Sequence, residues 1–270
     1  MVHYGRYVTT EQPQTPPLGK GTKIGYAFGS LATGTFGTVP GFLLVIYLTD
    51  TLGVAAAIAG LAVAIPKFWD VIFNPIVGGW SDRTNSRMGP RRPWMLAGAI
   101  ILPIFFIALF SVPAGLSPTT SAIIVAVVFL IAASAYALFQ VPYVSMPAEM
   151  TSDYKERTSV VAFRIVALTL GILISGSLAP VLVNAGGGGY AGHTLMAVVI
   201  GLFMCVTMLV AVVGTRKAPR TSVPSGSTSL LTASVVVRIV DQFGITVHEP
   251  ECQAPVPVDP DRPVPSQLAF

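Results

Sequence analysis

Six apolar stretches, each long enough to cross a bilayer, leave this chain few folds to choose from. They lie at about 24–48, 55–80, 94–112, 120–144, 159–183 and 194–214. The first runs for about 25 residues without a charge, where a spanning helix needs roughly 20. In hydrocarbon no water is at hand for backbone N–H and C=O groups, so apolar runs of this length read as α-helices. The chain is only 10% charged and 53% hydrophobic, with a mean hydropathy of +0.71. A soluble domain carries about 25% charged residues, so an all-α integral membrane protein with six transmembrane helices is expected.

The links between the spans alternate in charge. Lys20 and Lys23 precede the first span, and Arg83, Arg87, Arg91 and Arg92 join the second to the third. Lys155 and Arg157 join the fourth to the fifth, and Arg216, Lys217 and Arg220 follow the sixth. The three intervening links hold no Lys or Arg. Positive charge beside a span marks the cytoplasmic side, which predicts a multi-pass protein of the plasma membrane with both termini cytoplasmic. The domains follow: an N-terminal tail over 1–23, a six-helix domain over 24–214, and a C-terminal tail over 215–270. Pro250, Pro255, Pro257, Pro260, Pro263 and Pro265 give that last tail a disordered composition, with one amphipathic piece at Leu230 to Val247. No leader peptide is expected at the Pro-rich start.

The net charge of +4 is placed where orientation and anionic lipid account for it, so no nucleic-acid partner is expected. Two cysteines and three scattered histidines fit neither a disulfide framework nor a metal site. No phosphate loop, nucleophile elbow or HExxH pattern occurs. Neither enzymatic activity nor a cofactor is expected.

Chemistry concentrates where polar groups enter the apolar runs. Lys67, Asp70 and Asn74 fall at i, i+3 and i+7 in the second span, on one helix face. A charge at the bilayer centre costs about 2.5–3.5 kcal/mol even on lenient scales, so it normally faces a cavity, a partner or an ion path. Pro75 should kink the helix and free the carbonyl of Val71 beside this face. Carboxylate, amide oxygen and loosened carbonyl together suit Na⁺ or a proton. The competing reading is that Lys67 and Asp70 simply pair and staple the bundle. In the fourth span Tyr136 and Gln140, at i and i+4, form a polar strip for a solute hydroxyl or for a helix–helix hydrogen bond. Arg164 sits one or two turns inside the fifth, either snorkelling to the interface or holding solute in a cavity. Glycines 25, 29, 34, 37 and 41 of the first span suggest close helix packing.

Gly78-x-x-x-Asp82-Arg83 followed by Arg91-Arg92 resembles the loop between helices two and three of major facilitator transporters. The wider string Trp69-Asp70-x-x-x-Asn74-Pro75…Arg87-x-Gly89-x-Arg91-Arg92-Pro93-Trp94 resembles the glycoside-pentoside-hexuronide:cation symporter family, the melibiose permease-like group. The resemblance covers about residues 20–217 and is expected to end near Arg220. It implies one six-helix half of a twelve-helix fold with solute bound at mid-membrane. It also implies that Asp70 and Asn74 handle the coupling cation and that Gln140 and Arg164 bind a sugar or glycoside; the helix-face reading adds Lys67 to the first set and Tyr136 to the second. Asp82, Arg83, Arg91 and Arg92 would pair with Glu149, Asp153 and Arg157 of the next basic link as a cytoplasmic gate, the alternative being a plain solvated loop. The sequence departs from the family at Leu31, Asn74 and Gln140, which stand where relatives carry acids, and at Ala137, which stands for a threonine. With one acid left on the cation face, H⁺ is expected as coupling ion over Na⁺. The expected partners are lipid, a small solute, and a second half or a second copy of the chain. The rival expectation is a non-transporting membrane scaffold or regulatory subunit.

Overall fold

A computed structural model describes residues 18–84, 86, 88–151 and 153–216. The two tails lie outside the described residues except for 18–23 and 215–216, and so do Arg87, Lys217, Arg220 and the Leu230–Val247 piece. Among the described residues there is no β-strand. Six helices follow in order: α1 Lys20–Ile46, α2 Ala56–Arg83, α3 Arg92–Leu109, α4 Pro118–Met150, α5 Tyr154–Ala185 and α6 Gly189–Gly214. A π-helical turn, Tyr47–Thr51, continues α1. All six are long and apolar enough to span a membrane.

The helices exceed their apolar runs at several ends. Lys20 to Lys23, predicted as tail, form the first turn of α1. The first half of the link predicted at 49–54 belongs to the π-helical turn. α4 runs on to Met150 through Pro142 and Pro147, taking in residues predicted as loop. At about 1.5 Å per residue, its 33 residues reach about 50 Å, well beyond a hydrocarbon core of about 30 Å. Hydropathy locates the part of a helix inside lipid, not the turns that stand in the headgroup layer. Conversely α3 stops at Leu109, short of the predicted Val112. The glycine run within the link left between the fifth and sixth spans is a tight turn, with Gly187 at φ 82° and Gly188, the N-cap of α6, at φ 71°. Only glycine adopts such angles freely.

Local chemistry sets the clearest starts. Ser117 caps α4 by accepting from the Thr120 N–H, with Pro118 as first helical residue. Asp153 caps α5 by accepting from the Lys155 N–H. α2 continues as helix through Pro66 and Pro75.

α1 packs chiefly on α5 and α6, α3 on α4 and α6, and α2 almost wholly on α4. The packed centre is aromatic: Phe36 of α1 meets Phe106 of α3 and Phe129 and Tyr136 of α4. Three of the five glycines in α1 work as close-packing points. A Cβ on Gly25 would lie 2.9 Å from Gly214 Cα, one on Gly29 2.7 Å from the Tyr143 ring, and one on Gly34 2.6 Å from the Leu168 carbonyl oxygen. Gly37 and Gly41 have nothing within 4 Å, so the packing expectation fails there. α2 and α5 are the least covered, with 17% and 22% of their apolar windows buried against 61% for α1.

Long-range contacts fix the alternation of the helices. At one end Lys23 meets Glu156, Arg91 meets Asp82 and Glu149, and Arg92 donates to the Thr215 carbonyl. Those contacts gather the start of α1, the end of α2, the start of α3, the end of α4, the start of α5 and the end of α6. At the other end the Tyr47 hydroxyl accepts from the Val112 N–H at 3.2 Å, and the Tyr47 ring packs on His193. The links read as basic therefore share one end of the bundle.

Candidate functional site

The polar groups inside the bundle come together around Tyr136. Asp70 is half-buried on the face of α2 beside α4. Its neighbour Trp69 donates from Nε1 to Ser134 Oγ at 2.9 Å, tying that turn of α2 to α4. The Tyr136 ring is stacked on Phe36 at 4.8 Å and lies in the electrostatic field of both Asp70 and Arg164. One turn on, Gln140 is half-buried. Across on α5, the Arg164 guanidinium sits over the Tyr143 ring, 5.7 Å from its centroid, a cation–π distance.

Asp70 Oδ1, Gln140 Oε1 and Arg164 Nε are all buried and have no hydrogen-bond partner among the described residues. A buried polar atom left unmade costs about 1–3 kcal/mol. The three atoms lie on three helices, α2, α4 and α5, and buried polar atoms in folded proteins are normally satisfied. Lys67 and Asn74 are exposed on α2. Lys67 lies within electrostatic reach of Asp70, but they form no ion pair, so the stapling alternative finds no support here.

Sequence reasoning missed the other side of this site. Tyr26 and Tyr143 clasp each other across α1 and α4. Each hydroxyl donates to the other residue's carbonyl, at 3.0 Å from Tyr26 and 2.7 Å from Tyr143, and the rings stack at 4.5 Å. Ser30 Oγ lies 2.7 Å from the Tyr143 hydroxyl. Since that hydroxyl already donates to Tyr26, Ser30 supplies the proton of this second bond. The signal was present: Tyr143 continues the strip of Tyr136 and Gln140 at i+7.

At the basic end, Arg91 is 8% exposed and joins two helices. Its Nη2 donates to Asp82 Oδ1 at 3.2 Å, and its Nε approaches Glu149 Oε1 at 2.9 Å as an ion pair without hydrogen-bond alignment. The structure thus brings together three of the seven residues predicted for this end. Asp153 instead caps α5, and Arg83 and Arg157 are exposed. Arg92 reaches the Met88 and Thr215 carbonyls, so its guanidinium supports the C-terminus of α6, where a cation is favoured. Sequence reasoning missed a second ion pair, Lys23 to Glu156 at 2.8 Å, beside a bond from Lys23 to Ser159 Oγ.

The sequence model for MFS/sugar transport proteins matches residues 25–244. The chain belongs to this family of transporters. The match runs past Arg220, further than the motifs alone suggested, into residues outside those described. The symporter sll1374 of Synechocystis is 35% identical over 170 residues, covering 61% of this chain and 31% of that protein. YagG of Escherichia coli, whose name describes a glycoside/cation symporter, is 31% identical over 207 residues, covering 76% and 45%. The inner membrane symporter YicJ of the same organism is 31% identical over 188 residues, covering 67% and 40%. The chain therefore spans less than half the length of these curated relatives. As a family member it is a multi-pass membrane protein, and its α2, α4 and α5 carry the polar cluster.

Proposed function

We propose that this MFS chain is a six-helix unit of a cation-coupled transporter for a sugar or glycoside-like solute, working in the plasma membrane with the basic end in the cytoplasm. The single observation that carries the proposal is the set of three buried, unpartnered polar atoms of Asp70, Gln140 and Arg164 around Tyr136. Asp70 is the coupling carboxylate. A desolvated carboxyl can take up and release a proton as a cavity opens to one side and then the other. Lys67 and Asn74, on the open side of the same helix, tune the charge it meets. Asn74 supplies an amide where the family resemblance implies a second acid, which favours H⁺ over Na⁺ as the coupled ion. Tyr136, Gln140 and Arg164 bind solute hydroxyls. Arg91, bridging Asp82 and Glu149, acts as a cytoplasmic latch that breaks when the end opens. The names of YagG and YicJ support symport, and that of YagG a glycoside solute. A second six-helix unit, or a second copy of this one, completes the cavity over the sparsely covered faces of α2 and α5.

Counterflow uptake in proteoliposomes over a panel of sugars, with pH and Na⁺ gradients applied separately, tests this. A pH gradient is expected to drive accumulation, and Asp70→Asn to abolish it while membrane insertion stays intact. Uptake indifferent to that substitution would refute the assignment of Asp70. The complete absence of uptake by the wild-type chain would turn the reading to a membrane scaffold.

A further inference from the structure

Away from the polar cluster, α1 and α6 form a recess at the basic end of the bundle. Gly25 and Gly214 bring the two backbones together there, a Cβ on Gly25 coming within 2.9 Å of Gly214 Cα. Beside this contact lies a groove of about 570 Å³ walled by glycine and apolar side chains alone, Ile24 and Phe28 facing Val206, Val210 and Val213. Those five side chains are 38–60% exposed. Gly21 leaves the groove open, since a Cβ at that position would meet nothing within 4 Å. A second recess of about 680 Å³ shares Gly21, Val213 and Gly214 with the first and adds Thr22 and Arg216. The two are therefore one continuous slot, apolar along the helices and cationic at its mouth. Arg216 is exposed and forms no ion pair among the described residues, and Lys20, next to Gly21, is exposed as well.

We propose that this α1/α6 slot is a binding site for an anionic phospholipid, with one acyl chain along the apolar groove and the phosphate at Arg216. The occupant follows from the charge and the setting. A wholly apolar trough in a membrane-spanning helix pair offers nothing to a polar solute, whereas a basic pocket where such helices end suits a lipid headgroup. Each of the two recesses falls in the size range of ligand pockets, about 300–1,000 Å³. Exposed Val, Ile and Phe side chains flanking a glycine gap grip a flexible chain better than a smooth helix surface does, because dispersion contacts form on both sides. The site is independent of the transport reading, since α2, α4 and Asp70 take no part in it.

The test is retention of lipid by the purified full chain in detergent, read by native mass spectrometry with phosphatidylglycerol and phosphatidylcholine of identical acyl chains. Phosphatidylglycerol is expected to be retained at least fivefold over phosphatidylcholine. Arg216→Gln should bring the two within twofold of each other. Gly21→Leu, which fills open space, should cut phosphatidylglycerol retention at least fivefold while leaving the thermal midpoint of the lipid-free protein unchanged. Equal retention of the two lipids by the wild-type chain would overturn the proposal, as would retention unaffected by Gly21→Leu. Stabilisation by inorganic phosphate equal to that by phosphatidylglycerol would show an anion site without a chain groove and overturn it too. A benzophenone attached at Gly21→Cys should crosslink to lipid in vesicles; crosslinking to the chain's own residues 217–270 instead would make the tail the occupant and sink the lipid reading.

Discussion

The Tyr26–Tyr143 clasp shows how much a pair of hydroxyls can settle inside lipid. Each bonds the other residue's backbone carbonyl, and Ser30 adds a third bond, so α1 and α4 are held in one register directly beneath Arg164. Interhelical hydrogen bonds in membranes are each worth about 1 kcal/mol, often less, because the separated helices find other partners. Tyr143→Phe should therefore lower stability by about 1–2 kcal/mol, read as the unfolding midpoint in detergent. The loss in the double variant with Tyr26→Phe should fall short of the sum of the singles, since the two bonds share one geometry. A strictly additive cycle would mean the hydroxyls act separately. If the proposed solute site is right, Tyr143→Phe keeps the aromatic face under the guanidinium and Tyr143→Leu removes it. Solute affinity in proteoliposome uptake should then fall several-fold more for the leucine variant. The residues of the polar cluster were partly legible in the sequence because Asp70, Gln140 and Arg164 are out of place in apolar runs. Tyr26 and Ser30 were not, since tyrosine and serine sit comfortably in a spanning helix and declare a role only when the partner, 113 to 117 positions away, is seen.

Among the helices, the glycines of α1 divide into two kinds that look alike in the sequence. Gly34 touches the backbone of α5, with a Cβ there 2.6 Å from the Leu168 carbonyl oxygen, and Gly171 of α5 answers it, with a Cβ 2.5 Å from that of Leu31. Gly37 faces open space one turn away. Gly34→Val should push α1 and α5 apart and cost about 1–3 kcal/mol, the usual penalty of overfilling a packed contact. Gly37→Ala should be neutral or stabilise by up to about 1 kcal/mol through the lower backbone freedom of alanine. Unfolding midpoints of the two variants check this contrast, and equal destabilisation by both would contradict the packing described. The existence and order of all six helices were legible because a run of about 20 apolar residues has one solution in a bilayer. Their ends were legible unevenly: α2 starts within one residue of the expected 55 although Ala55 supplies no side-chain cap, whereas α5, capped by Asp153, starts five residues before the expected 159. The last turns of α4 and the first of α5 stand where polar and apolar residues mix, and there composition stops distinguishing helix from link. Asp153 shows the same limit: its charge suggested a gate, and with the span expected only from 159 nothing marked it as the cap it proves to be.

Taken whole, the bundle is polarised from end to end. Lys23, Arg91 and Arg92 are buried or half-buried at one end with their partners, and Arg83, Lys155, Arg157 and Arg216 are exposed beside them. The opposite end is closed by neutral contacts of Tyr47, Phe110, Val112 and His193. Positive charge gathered at one end is what sets orientation, and under the proposed function the same residues serve the gate. Under that proposal Arg91 is central: one guanidinium ties the ends of α2 and α4, and Arg91→Gln removes its charge from both Asp82 and Glu149. Loosening at that end should raise solvent access to the α2–α3 link, read as faster labelling of an engineered Ser86→Cys by a water-soluble maleimide. An unchanged labelling rate would show that the bridge does not hold the end closed. The orientation itself is open to a direct measurement in cells, in a background with Cys205 and Cys252 replaced by alanine. Leu116→Cys lies in the neutral link between α3 and α4, and Lys155→Cys lies at the exposed start of α5. With the basic end in the cytoplasm, an impermeant maleimide labels Leu116→Cys in intact cells, and Lys155→Cys only after the membrane is opened. The reverse pattern would place Arg91 and the Lys23–Glu156 pair outside the cell. Charge-directed insertion would then have failed for a chain whose basic links all gather at one end, and the cytoplasmic latch would fall with it.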